Sequence, residues 1–406
     1  MIPLPQRIQL FPGALHLPGS PAFYTDPDEP FLAEQVALLA GQVSGGSLIR
    51  VEHPAAAQIR FQKTPELADQ REAYRLAVDP QGVSVSAGWS AGLFWGLQTL
   101  RQLLFEHRGG DGITLPCQVI EDYPRFAYRG CMLDVSRHFF DISVVKRFID
   151  LAALHKLNAF HWHLTDDQGW RIEIQAFPAL TRVAANRRET RGDGKPHGGF
   201  YTQTQIREVV HYAAQRHITV IPEVDFPGHF TAAIAAYPQL GCSSAPVEVR
   251  TTFGISSQLA CPGKDFTYRF LETVFDELCD LFSGRYIHLG GDEAPKGHWR
   301  VCPHCRALMQ REGYTRVGQL QTHLMNHIAR HIRLRGKTAI AWNDAFRNPG
   351  LDAEIMMQYW MEIRGGHTAL DAINAGTRAV VSDFYHYYLD YPFGMTPLRK
   401  TYAFDP

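Results

Sequence analysis

The 406-residue sequence has no surplus of either charge sign: 40 Lys and Arg stand against 41 Asp and Glu. A protein that grips a phosphate backbone carries a basic excess, so no nucleic-acid partner is expected. No apolar run approaches the roughly 18 residues of a membrane-spanning helix, and no membrane partner is expected either. The seven cysteines are odd in number and spread over a long chain, unlike a small disulfide scaffold. The first 19 residues hold four prolines and no apolar leader core. This leans towards the cytoplasm, with export open if the chain is a processed piece.

What remains is ordinary globular composition, 45% hydrophobic and 20% charged, which excludes a disordered chain or a coiled coil. At roughly 150 residues per domain the length allows two or three domains, or one large barrel with an added module. The first stretch alternates polar and apolar residues at 58–62, 73–78 and 82–87, the mark of half-buried strands. A helical repeat of Leu93, Phe94, Leu97, Leu100, Leu103 and Leu104 follows. Together they predict a small α+β domain over residues 1–123. Pro124 marks the boundary.

Beyond it the pattern changes. Short apolar runs without alternation recur at 129–135, 159–164, 219–224, 286–289, 338–341, 354–359 and 378–381. Amphipathic stretches at 143–155, 204–216 and 266–282 separate several of them. Buried strands alternating with helices predict a parallel sheet covered on both faces, and this many units predict an α/β fold, a (β/α)8 TIM barrel over 124–406. A doubly wound sheet would place a glycine-rich phosphate loop after the first strand. The residues there are Ser136, Arg137, His138, Phe139 and Phe140.

Barrel chemistry collects at the C-terminal strand ends. Reading past each run gives Asp134, Arg137 and His138; then Asp166 and Asp167; then Glu223, Asp225 and His229; then Asp292 and Glu293; then Trp342, Asn343 and Asp344; then Trp360; then Tyr388 and Asp390. Carboxylates and an arginine bond hydroxyls, and flat aromatic faces pack on C–H surfaces, so this rim suits a sugar. A glycosidase usually sets two carboxyl groups about 5–9 Å apart across the scissile bond. Asp292 and Glu293 are adjacent, which suits a division of labour better: one protonates the leaving group, the other steers the substrate. Two further signals stay open. His161 and His163 share one strand face and could bind a metal, although histidines bonding neighbouring groups are the favoured reading. The pair Cys302 and Cys305 would need a second ligand pair to hold zinc, and only His298 and His304 are close in sequence; Cys242 and Cys261 could bridge in an oxidising compartment. No cofactor and no metal is expected.

Four segments together resemble the family 20 glycoside hydrolases, the β-N-acetylhexosaminidases: residues 129–139 (RGCMLDVSRHF), 156–171 (KLNAFHWHLTDDQGWR), 222–229 (PEVDFPGH) and 288–293 (HLGGDE). The resemblance implies an α+β domain before the barrel, and removal of terminal GlcNAc or GalNAc from an oligosaccharide. It implies substrate-assisted, retaining chemistry, in which the sugar's 2-acetamido oxygen is the nucleophile. Glu293 would be acid and base, and Asp292 would orient the acetamido group. Tyr388 would hold the acetamido oxygen, Arg137 and Asp390 ring hydroxyls, and Asp166 and His229 would tune Glu293. Trp342 and Trp360 would wall the pocket. Relatives continue into a last barrel strand bearing a further Trp and Glu, so the barrel is expected to lack its eighth strand here. The alternative is a non-catalytic or impaired sugar-binding barrel.

Overall fold

Seven parallel strands carry the predicted barrel in the computed structural model, which describes residues 1–43, 48–109, 112–362, 368–392 and 394–406. They are β1 (Gly130–Asp134), β2 (Ala159–His163), β3 (Thr219–Glu223), β4 (Tyr286–His288), β5 (Thr338–Trp342), β6 (Met356–Tyr359) and β7 (Ala379–Val381). The sheet runs in strict chain order from β1 to β7. Every one of the seven predicted runs is a strand of this sheet. Such runs read clearly because burial on both faces removes the polar alternation: all five residues of β2 are buried.

Between strands lie α1 (Ile142–Leu154), α2 (Gln203–Gln215), α3 (Asp265–Leu281), α4 (Pro303–Arg311), α5 (Gly318–Leu334) and α6 (Thr368–Asn374). In α3 the buried residues are Thr267, Phe270, Leu271, Val274, Phe275, Leu278 and Leu281, a stripe of the 3.6-residue period. Asp141 caps α1, its Oδ1 accepting the Ser143 amide at 2.9 Å and the Val144 amide at 3.3 Å. A chain-ordered parallel sheet with helical crossovers is the (β/α)8 pattern, with seven of its strands present among the described residues. No described helix is long and apolar enough to cross a membrane.

The chain divides into two compact units: residues 1–131 with 147–159 and 212–218, and residues 132–146 with 160–211 and 219–406. The first holds a mixed sheet ordered Arg7–Leu17, Gly112–Asp122, Tyr74–Asp79, Gly82–Ala87, Ile59–Lys63, Ala22–Thr25 and Ile49–Arg50. The helix Ser90–Glu106 buries Leu93, Phe94, Leu97, Leu100, Leu103 and Leu104, the residues that its sequence repeat predicts. A buried ion pair ties this unit internally, Lys156 Nζ lying 2.7 Å from Asp122 Oδ2 and 2.8 Å from the Tyr74 hydroxyl.

Candidate active site

All the predicted site residues lie in the second unit, at or beyond the C-terminal ends of its strands. The segment after β4 decides the geometry. In a continuing strand Asp292 and Glu293 would point to opposite sides. Here the chain turns, with positive φ at Gly290 (+66°), Gly291 (+98°) and Glu293 (+41°). Both carboxylates reach the same imidazole: His229 Nε2 is 3.4 Å from Asp292 Oδ2 and 3.5 Å from Glu293 Oε2. His229 is itself left-handed, at φ +49°. Such backbone costs about 1–3 kcal/mol per non-glycine residue and collects at functional sites.

The turn needs its glycines. A Cβ on Gly290 would lie 1.7 Å from Asp225 Oδ1, and that oxygen accepts the Gly291 amide at 2.9 Å. Gly290→Ala is expected to destabilise the fold by about 1–3 kcal/mol, as an overpacked site does. Urea denaturation reads this directly, and an unchanged midpoint would mean that Asp225 yields at no cost.

A chain of charges runs behind the pair. Asp166 Oδ1 lies 3.2 Å from His229 Nδ1, and Oδ2 pairs with Arg137 Nη2 at 2.7 Å. Arg137 also bonds Asp134 Oδ2 at 2.7 Å. Burial alone would raise the Asp166 carboxyl, but Arg137 and His229 outweigh it and hold it well below the carboxylate range. Burial disfavours charge on His229, but Asp166 and Asp292 raise it well above the usual histidine value, so it is imidazolium. Asp292 is held ionised in the same way, His229 overcoming its burial. Asp225 behaves oppositely: burial, and then the charge of Asp292, raise it well above its usual value and favour its neutral form. The Asp292 side chain is 18% exposed, and its Oδ1 is buried with no partner among the described residues.

Beneath this layer the structure assembles a second group that only partly shows in the sequence. Glu223 is fully buried between three histidines, with His163 Nδ1 at 2.7 Å, His161 Nε2 at 2.7 Å and His288 Nδ1 at 3.2 Å. Trp342 donates its indole N–H to Glu223 Oε1 at 2.8 Å. His161 and His163 do share a face, as the strand period predicts, and both point at this carboxylate. The ligand atoms of His161, Glu223 and His288 fall within 4.8 Å of one another. Burial lowers His161 to about 4, leaving it neutral; Glu223 and Asp166 overcome the same burial at His163 and keep it charged. Trp342 is therefore fixed from below, its ring packed on His288 and His161 at centroid distances of 4.9 and 5.9 Å.

The aromatic side of the rim is partly assembled. Trp360 donates Nε1 to Asp344 Oδ2 at 2.7 Å, and its ring lies 6.1 Å from that of Tyr388 at 30°. Burial raises the Tyr388 phenol, and Asp292 adds to this, so it is a neutral hydroxyl donor. Asp390 is the exception: it sits exposed in the turn after Tyr388. A cleft of about 310 Å³ opens on Glu293, lined also by Asp344, Trp360, Lys296 and Arg347.

Comparison with known proteins gives the family of the chain. The family model for the glycosyl hydrolase family 20 catalytic domain matches residues 126–405, and that for family 20 domain 2 matches residues 1–123. The chain belongs to glycosyl hydrolase family 20. Among family 20 relatives, a β-hexosaminidase of Porphyromonas gingivalis is 39% identical over 371 residues, 87% of this chain and 47% of that protein. One from Akkermansia muciniphila is 36% identical over 400 residues, 90% of this chain and 80% of that protein. The chain thus spans about half the length of the first relative and most of the second. A Vibrio harveyi family 20 exo-β-N-acetylglucosaminidase, solved with N-acetylglucosamine, superposes with TM-score 0.89 at 32% identity, over 100% of this chain and 66% of that one.

Proposed function

We propose that this chain is an exo-acting β-N-acetylhexosaminidase that hydrolyses terminal non-reducing GlcNAc or GalNAc with retention. The barrel, residues 124–406, would carry the chemistry, after an α+β domain in the sequence, residues 1–123. The observation that carries the reading is the adjacent pair Asp292 and Glu293 turned to one side around a charged His229. Neighbouring carboxylates cannot straddle an anomeric carbon as acid and nucleophile. They can serve a substrate that brings its own nucleophile.

In this mechanism the 2-acetamido oxygen attacks C1 as the glycosidic bond breaks, and Glu293 gives its proton to the departing oxygen. Positive charge develops on the acetamido N–H. Asp292 accepts that N–H, its ionised state secured by His229 and its Oδ1 unpartnered. The Tyr388 hydroxyl donates to the acetamido oxygen and orients the attack. Glu293, now a carboxylate, takes a proton from water as that water attacks C1 and reopens the ring. Arg137 and Asp390 bond ring hydroxyls, Asp166 holds the charge on His229, and Trp342 and Trp360 wall the sugar.

The test separates this scheme from a carboxylate nucleophile. A thiazoline analogue of the bicyclic intermediate should inhibit far more tightly than N-acetylglucosamine, and an aryl 2-deoxyglycoside lacking the acetamide should not turn over. Trapping of a covalent glycosyl-enzyme by a 2-fluoro sugar would overturn the scheme. Binding of N-acetylglucosamine with no hydrolysis of any aryl glycoside would instead indicate a sugar-binding barrel.

A further inference from the structure

The sequence shows one cysteine pair, Cys302 and Cys305, with no second pair beside it; the fold supplies that pair. Cys261 Sγ lies 3.5 Å from Cys305 Sγ and 3.8 Å from Cys302 Sγ, and Cys242 Sγ lies 3.9 Å from Cys305 Sγ. All four sulfurs fall within 4.8 Å of one another, and all four are free thiols. Zinc binds thiolates at about 2.3 Å in a tetrahedron, whose edges are then about 3.8 Å. Three of the sulfur separations match that edge, from residues 41 to 63 positions apart in the chain.

The surroundings are those of a closed structural site. An antiparallel bridge between Gly241 and Ala260 sets Cys242 and Cys261 side by side. Cys302 directly precedes α4, which places Cys305 in its first turn, where the helix dipole favours a thiolate. Gly263, two residues after Cys261, packs on the other pair's backbone, since a Cβ there would lie 2.2 Å from the His304 carbonyl carbon and 2.5 Å from the Cys305 nitrogen. Lys264 bonds the Gly241 carbonyl at 2.5 Å, bringing positive charge beside Cys242. Leu259, Trp299, Leu308 and Leu320 enclose the cluster, and Ala294, next to Glu293, packs against it.

We propose that Cys242, Cys261, Cys302 and Cys305 bind one structural zinc ion. Four thiols lose their protons to solvent and bind Zn²⁺ with no change of oxidation state. The ion clasps the segment that follows His229 to the segment that follows Glu293. It takes no part in the reaction; it fixes the backbone that aims both groups.

The 406-residue chain, purified under reducing conditions without a metal-affinity tag, should contain one equivalent of zinc by elemental analysis. Its four cluster thiols should react with Ellman's reagent only after the metal is displaced. Exchange into cobalt should give the intense visible bands of tetrahedral thiolate cobalt. Cys302→Ser and Cys305→Ser should lose the zinc, and Cys279→Ser should keep it. Because the first readouts use the unaltered chain, a variant that fails to fold leaves them intact. Zinc-free protein with four reactive thiols would overturn the proposal. So would zinc-free protein with two disulfides, or zinc that survives both serine exchanges because it sits at His161, Glu223 and His288.

Discussion

Exchange of Glu293 for Gln should lower kcat on a chito-oligosaccharide by about 10²–10⁴-fold, the contribution of one positioned acid–base group. That is about 2.7–5.5 kcal/mol of transition-state stabilisation. The amide keeps the size of the side chain and its place in the cleft, so KM should change little, but it has no proton to give the leaving oxygen. The loss should shrink on a nitrophenyl glycoside, whose leaving group needs less protonation, and should not vanish, because water must still be deprotonated in the second step. Steady-state kinetics on both substrates read this split. Asp344 is the competing acid, a carboxyl that burial raises, lining the same cleft. Full activity in Glu293→Gln together with loss in Asp344→Asn would move the role there.

The distribution of what sequence reveals follows from which interactions are local. The inner barrel strands were readable because two-sided burial removes the polar alternation. The strands Arg7–Leu17 and Gly112–Asp122 were not, for an opposite reason. Arg7–Leu17 is an edge strand exposed over most of its length, with Pro12 inside it and a bulge between Leu10 and Ala14. Its partner carries Pro116. In Arg7–Leu17 the proline and the bulge break the alternation, and in Gly112–Asp122 the alternation of Ile113, Leu115 and Cys117 runs through a proline, which argues against a strand.

The same division applies to the site. Asp292 and Glu293 stand out because glycines and a proline frame them. That they face one way depends on φ values at Gly290, Gly291 and Glu293, for which glycine is only a hint. His161 and His163 were visible as a pair on one face, but their partner Glu223 arrives from another strand, 60 residues after His163. Glu223 shows in the sequence as an acid at a strand end, where a buried unpaired charge is costly; that histidines from two other strands surround it depends on the fold. Asp225 shows in the sequence as one more strand-end acid; that burial and the charge of Asp292 raise it depends on the fold. The cysteines make the point most sharply, because a CxxC is a local motif and the pair that would complete it is joined to it only by the fold.

Glu223→Gln should cost about 3–5 kcal/mol of stability, the penalty for removing one member of a buried ion pair. At about 2–4 °C per kcal/mol for a domain of this order, the melting temperature should fall by about 6–20 °C. The charged His163 would lose its nearest counter-ion, and the Trp342 indole would face an amide in place of a carboxylate. The pH dependence gives the stricter test. Glu223 sits well below its usual value in the folded chain, so its contribution is complete above about 4.5 and fades as pH falls towards the folded value. His163 sits well above its usual value, so its contribution is complete below about 6.5 and fades as pH rises through the folded value. Between these limits both contributions are present, and the native protein should be most stable there. Denaturant titrations across pH should show both arms flattened in Glu223→Gln, since each arm is one side of the same pair. If the variant keeps the native profile, the charge that supports Trp342 resides elsewhere, and the layer beneath the pocket is held by packing alone.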